Sequence, residues 1–209
     1  IMGFTFIMAY MFHWNNNVYW GYAFLTSVMI FFVFFASQLE GRKLVKRKDR
    51  QLACVLFTDI VGYTALMGKN EEEALQKLAA NQRMQKRLIQ KYRGKWLKDL
   101  GDGMMSVFYT ASEAVLCAME IQHETTTKSD LQVRIGVHVS EIVFTDKDIF
   151  GDGVNVASRI ANKAGAGEIY FSEAVYHNIR NREEFDIMHV GETALKNVAY
   201  SIKLYKVVV

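Results

Sequence analysis

Two aspartates sit where the chain must turn. Asp59 follows an apolar run at residues 52–58 and precedes Ile60, Val61, Gly62, Tyr63 and Thr64. Asp102 lies between Gly101 and Gly103, four positions after Lys98. The apolar run reads as a buried strand, and the glycine pair as a hairpin turn joining strands at 92–100 and 104–108. Carboxylates at neighbouring strand ends suit a pair of divalent cations, which take oxygen donors and complete their shells with phosphate and water. Taken singly, each acid is also an ordinary turn cap. The segment after Asp59 favours chemistry: Gly62 permits close backbone approach, and N–H groups at the start of a short helix attract phosphate oxygens. No GxxxxGK phosphate loop is present.

A second group is nitrogen-rich. Asn155 and Arg159 stand at i and i+4 of a helical stretch, so they share a face. The arginine can meet charge on a phosphoryl group, and the amide can orient a sugar. Asp148 opens the turn into that helix. Lys98 and Asp148 together have the chemistry of adenine recognition: an ammonium donates to a ring nitrogen, and a carboxylate accepts from the exocyclic amine. Guanine would set a carbonyl oxygen against that carboxylate.

The elements that position these residues follow from pattern. Asn70 with Glu73 forms a near capping box before a helix whose apolar residues run from Leu75 to Tyr92, with Gly94 as its stop. A second helix is expected at 111–125 and a strand at 131–139, with 141–145 returning beside it. A third helix is expected at 154–163 and a strand at 168–171. Ser172 should cap a short helix, and strands at 185–190 and 202–208 close the domain. Helices interleave with hairpins and crossovers, which defines an α+β fold with a mixed sheet covered by helices.

Charge is distributed unevenly. The chain is 51% apolar and 22% charged with net charge +3, yet its first 36 residues hold no Lys, Arg, Asp or Glu. A balance so near neutral gives no sign of a nucleic-acid partner. Residues 1–12 are apolar and too short to span a bilayer alone, as expected of a helix cut at its N-terminal end. Residues 18–36 reach about 28 Å as a helix, close to the hydrocarbon thickness. Between them, Asn15, Asn16 and Asn17 are flanked by Trp14, Tyr19 and Trp20, suited to an interface. Arg42, Lys43, Lys46, Arg47, Lys48 and Arg50 follow, so that end is expected on the cytoplasmic side. We expect a membrane hairpin at 1–36 contacting lipid, a linker helix at 37–51 and a catalytic domain at 52–209. The protein is then a multi-pass inner-membrane protein with its catalytic domain in the cytoplasm. Cys54 and Cys117 lie in apolar runs without metal-ligand spacing and read as reduced core residues.

FTDIVGYT (57–64), KDLGDG (98–103), RIGVH (134–138), DIFGDGVNVASR (148–159) and LKNV (195–198) occur in this order. Together they resemble the catalytic domain of class III nucleotide cyclases, over essentially all of residues 52–208. The resemblance implies a ferredoxin-like core and, residue by residue, a set of roles. Asp59 and Asp102, with the Ile60 carbonyl, hold two Mg²⁺ or Mn²⁺ ions. The backbone of Gly62, Tyr63 and Thr64 meets phosphate, and Arg134 and Lys196 contact the polyphosphate tail. Lys98 and Asp148 select adenine, Asn155 positions the ribose, and Arg159 stabilises the transition state. It also implies that the metal aspartates and Arg134 serve one site while the other five side chains serve the partner's, so that a homodimer carries two complete sites for ATP. Two rival readings are a guanylyl cyclase, which would carry other residues at Lys98 and Asp148, and a silent signalling module, which would have lost a metal aspartate or the arginine. A diguanylate cyclase would need a GGDEF-type turn. Ser140 departs from the glycine common in the family, and Ala166 and Ala199 from prolines.

Overall fold

The computed structural model describes residues 26–31, 50–145, 149–198 and 200–208. The chain divides into two units, Ile1–Arg47 and Lys48–Val209. In the first, residues 26–31 are helical and exposed. The rest of the expected membrane hairpin, and residues 37–49 of the expected linker, lie outside the described residues. Among the described residues, no helix is long and apolar enough to cross a membrane.

The second unit runs β1 (Arg50–Ile60), α1 (Tyr63–Lys69), α2 (Glu71–Lys91), β2 (Lys95–Leu100), β3 (Gly103–Phe108), α3 (Ala111–Lys128), β4 (Val133–Phe144), β5 (Ile149–Phe150), α4 (Asp152–Ala161), β6 (Ile169–Ser172), α5 (Glu173–Ile179), β7 (Ile187–Ala194) and β8 (Ser201–Val207). Its eight-stranded sheet is ordered β2-β3-β1-β4-β6-β8-β7, with β5 paired to β4. All neighbours are antiparallel except β4 and β6, and α4 lies in the connection between that parallel pair. This is the mixed α+β architecture expected from the pattern.

β1 is apolar nearly throughout because both of its faces are covered. Cys54, Leu56 and Ile60 face a core shared with Leu88 and Ile89 of α2, Ala114 and Ile121 of α3 and Val175 of α5. Ala53, Val55 and Phe57 face the opposite side, where Ala157 and Ala161 of α4 pack. α4 lies close: a Cβ on Gly136 would stand 2.2 Å from the Ala161 nitrogen and 2.6 Å from the Ala157 carbonyl oxygen. A methyl forced in there would displace the helix at a cost of about 1–3 kcal/mol. Cys54 and Cys117 are buried free thiols, as expected, and burial pushes both pKa values up, that of Cys117 to about 12.

The caps are local and were readable. Asn70 accepts from the Glu73 N–H at 3.2 Å and donates back to its carboxylate at 3.3 Å. Other expectations need correction. The strand expected from residue 92 starts at Lys95, because α2 runs to Lys91 and the chain reverses through Arg93 in the left-handed region (φ 58°). Gly94 does end the helix, its N–H donating to the Ile89 carbonyl at 2.8 Å, and it also admits the Phe108 ring, which a Cβ would meet at 2.4 Å. Residues 141–145 do not turn back, since β4 continues straight to Phe144, paired with β1 down to Val143 opposite Arg50. Ser172 makes no side-chain cap on α5, because its hydroxyl lies 2.7 Å from His138 Nδ1 instead.

Candidate active site

The end of β1 and the β2–β3 turn bring the two aspartates together. Asp59 is paired across the sheet with Arg134 of β4. The guanidinium places both Nε and Nη2 2.6 Å from Asp59 Oδ2, with the two side chains 31% and 28% exposed. Asp102 occupies the tight β2–β3 turn, which Gly101 enters at φ 77°. A Cβ on Gly103 would stand 2.4 Å from the Thr58 carbonyl oxygen, so β3 begins hard against the end of β1, beside Asp59. Burial, and then the charge of Asp59, hold the Asp102 carboxyl above its ordinary range, while Arg134 pulls it partly back. A neighbouring carboxylate that raises the proton affinity of Asp102 places the two acids in one site.

This donor set fits a small divalent cation. Among the described residues no cluster of three or more His, Cys, Asp or Glu side chains could hold a metal. Mg²⁺ does not require one, since it is commonly bound by one or two carboxylates plus substrate phosphates. Ile60 closes β1, and its neighbour Val61 donates its N–H to the Gln132 carbonyl at 2.8 Å. Gly62 opens α1 at φ 76°. The Tyr63 ring packs on the core and its hydroxyl is buried without a partner, so this residue offers only its backbone to a ligand. Thr64 is exposed.

The nitrogen-rich residues lie on β2, on α4 and in the turn between β7 and β8. In β2, Lys98 stands opposite Met105, which stands opposite Phe57 in β1. Asp59, two residues after Phe57, therefore shares that face, as does Arg134 opposite it. On α4, Val156 and Ile160 point to a cluster with Leu195, Ile202 and Leu204. Asn155 and Arg159, one position earlier, lie about a hundred degrees round the helix. The Leu195–Val198 turn rests on that cluster through Leu195 and Val198, closed by a 3.1 Å Val198 N–H to Leu195 carbonyl bond, with Asn197 at φ 61°. Lys196 is left exposed at its tip. Among the described residues Asn155, Arg159 and Lys196 make no side-chain hydrogen bond or ion pair. Asp148 lies outside the described residues. Ser140, where the family commonly has glycine, sets its hydroxyl against Gly153, where a Cβ would stand 1.6 Å from it.

Three features were not foreseen from the sequence: the Asp59–Arg134 ion pair, the backbone approach at Gly103, and a β-bulge between Trp96 and Lys98. Strict alternation at 96–100, had it been read, would have put Lys98 on the wrong face and so signalled the bulge.

A strand-end aspartate pair, an arginine beside it and an i, i+4 asparagine–arginine face on the crossover helix characterise a nucleotide cyclase domain. The family model of the adenylate and guanylate cyclase catalytic domain matches residues 45–208, and the chain belongs to this family. A putative adenylate cyclase 3 of Rhizobium meliloti is 32% identical over 164 residues, covering 75% of this chain and 28% of the relative's length. The chain thus spans under a third of that relative, and only 19% of the length of a similar serine/threonine-protein kinase, pkn2, of Myxococcus xanthus (29% identical over 160 residues, 73% of this chain). Among solved structures, an adenylate/guanylate cyclase/hydrolase from Silicibacter pomeroyi superposes with a TM-score of 0.70 at 34% identity, covering 77% of this chain and 98% of that one. The adenylyl cyclase CyaB from P. aeruginosa has the same TM-score of 0.70 at 26% identity, covering 77% and 95%.

Proposed function

We propose that the chain is an adenylyl cyclase that converts ATP to 3′,5′-cyclic AMP and pyrophosphate in sites shared by two copies. On this reading residues 1–36 anchor it as a multi-pass inner-membrane protein, with the catalytic domain in the cytoplasm. The observation that carries the reading is the pairing of Asp59 with Arg134 beside an electrostatically coupled Asp102, on the face to which Lys98 is turned.

Two Mg²⁺ or Mn²⁺ ions held by Asp59, Asp102 and the Ile60 carbonyl would acidify the ribose 3′-OH and neutralise phosphate charge. The chain's own groups supply the rest. Arg134 and Lys196 neutralise the β- and γ-phosphates, and N–H groups at 62–64 meet phosphate oxygens. Lys98 donates to an adenine ring nitrogen, and Asp148 accepts from the exocyclic amine. Asn155 orients the ribose so that the 3′ oxygen lies in line with the α-phosphorus. The new 3′ O–P bond forms as the bond to the bridging oxygen breaks, the hydroxyl proton passes to water, and pyrophosphate leaves. Arg159 meets the charge that builds on the α-phosphoryl oxygens, a preorganised contribution of ~10²-fold or more in rate. His138 is not the base. Its Nδ1 is bonded to Ser172, and burial lowers its pKa to about 4, with the Asp152 charge opposing.

The family name covers both purines, so the second reading is a guanylyl cyclase. Side-by-side turnover of ATP and GTP by the full chain, with Mg²⁺ or Mn²⁺, separates them. Specific cyclic AMP production should also rise with protein concentration in the dilute range, because the active species is a dimer. Activity per chain that stays constant on dilution down to verified monomer would end the shared-site reading.

A further inference from the structure

Lys98 lies on an edge strand paired only with β3, and it faces the site because of the bulge. Trp96 stands opposite Ser106 and Lys98 opposite Met105, so Leu97 is the extra residue. Without it, period-two alternation would turn Lys98 to the same face as Trp96, toward α2 and away from Asp59. β2 has little burial to hold this register, since every residue of it is exposed or half-buried. What spans the bulge is a three-residue knot on the α2 side. Trp96 Nε1 donates to Asp99 Oδ1 at 3.1 Å, Lys86 of α2 donates to Asp99 Oδ2 at 3.0 Å, and the Lys86 ammonium lies 4.0 Å from the Trp96 ring centroid. Residues on both sides of Leu97 are thus tied to the same point on α2.

We infer that Asp99, gripping Trp96 and Lys86 across the Leu97 bulge, is a positioning residue that sets purine selectivity by keeping Lys98 on the nucleotide side of β2. Asp99 touches no substrate and acts through Lys98, so the inference rests on the reading of Lys98 as a base-recognising group. The knot is accessible on one side, as the Lys86 and Asp99 side chains are 38% and 33% exposed. Its energy is therefore modest, but register is all-or-none: a strand in the slipped state offers no ammonium to the base.

The test measures kcat/KM for ATP and for GTP on full-length wild type, Asp99→Ala, Asp99→Asn, Trp96→Phe and Lys98→Ala, with thermal unfolding in parallel. Asp99→Ala should lower the ATP-over-GTP ratio about tenfold, mainly through KM for ATP, with little change in melting temperature. Asp99→Asn can still accept from Trp96 and should recover part of the ratio. Trp96→Phe keeps the ring, loses the N–H and should fall between wild type and Asp99→Ala. It also serves as the test if Asp99→Ala does not fold. If Lys98→Ala collapses the ratio while Asp99→Ala and Trp96→Phe stay within twofold of wild type, the positioning role is overturned and the reading of Lys98 stands. If Lys98→Ala leaves the ratio unchanged, that reading falls and the inference falls with it.

Discussion

The two halves of the site differ in how their charges are met. At the strand ends Asp59, Asp102 and Arg134 already interact within one chain, through a forked ion pair and mutual carboxylate repulsion. Along α4 and the Leu195–Val198 turn, Asn155 and Lys196 are exposed and Arg159 is half-buried, none with a side-chain partner among the described residues. On the proposed reading the first half, two carboxylates against one guanidinium, would receive cations. The second would offer its donors to an anionic ligand. A nucleotide triphosphate complexed with metal presents both complements at once, and two copies facing one another would set the receptor of one against the donors of the other.

The sharpest way to break that comparison is to disable one half per chain. Asp59→Ala and Asp102→Ala should each lower cyclic AMP production ~10³-fold or more, since they remove the anchor for metal assistance. Lys98→Ala should also be inactive toward ATP. Co-expressed Asp59→Ala and Lys98→Ala chains, purified as heterodimers through two tags, should regain up to half of wild-type activity, because one of their two sites is intact. Heterodimers as inactive as the parents would show that both groups serve the same site.

What the sequence made legible was local. The Asn70 capping box, the exit of Asp59 from a buried strand and the glycine-flanked turn at Asp102 each lie within a few residues of their cause. The i, i+4 spacing of Asn155 and Arg159 needed only the helix. What was hidden depends on register between distant strands. Arg134 reaches Asp59 from 75 positions away, and nothing near either residue announces the ion pair. The bulge at Leu97 is likewise a property of β2 against β3. The expected return strand at 141–145 failed because Ser140 continues the ladder opposite Ala53 instead of turning.

The ion pair offers a sharper, smaller test, independent of turnover. If Arg134 neutralises Asp59 in the nucleotide-free chain, replacing it by Met should strengthen Mn²⁺ binding measured without any phosphate present. The expected gain is about fivefold, since an accessible ion pair is worth up to ~1 kcal/mol. With ATP added, the same substitution should weaken nucleotide binding, because the polyphosphate loses a guanidinium. Equal Mn²⁺ affinity in the two proteins would mean that Arg134 imposes no charge cost on the carboxylates and that the strand-end half is less self-contained than its geometry implies.

The smallest expected effect concerns His138, which sits beneath the first turn of α4 and so supports the donor half. Its folded pKa is about 4, depressed by burial, with the Asp152 charge opposing, against roughly 6.5 in an unfolded chain. Between those values the unfolded state binds more protons than the folded one, so this group's contribution makes stability fall as pH drops through that window and stay flat above it. His138→Asn can keep a nitrogen donor toward Ser172 but cannot titrate. Wild type should therefore lose about 1 kcal/mol more than the variant between pH 7 and pH 5.5, seen as a melting temperature that falls about 2–4 °C further. Asp102, whose pKa is raised, contributes with the opposite sign, but it is present in both proteins and cancels in the difference. Parallel pH profiles for the two would mean that the imidazole is hydrated in the folded state, and that α4 sits less tightly on β4 than the contact at Gly136 requires.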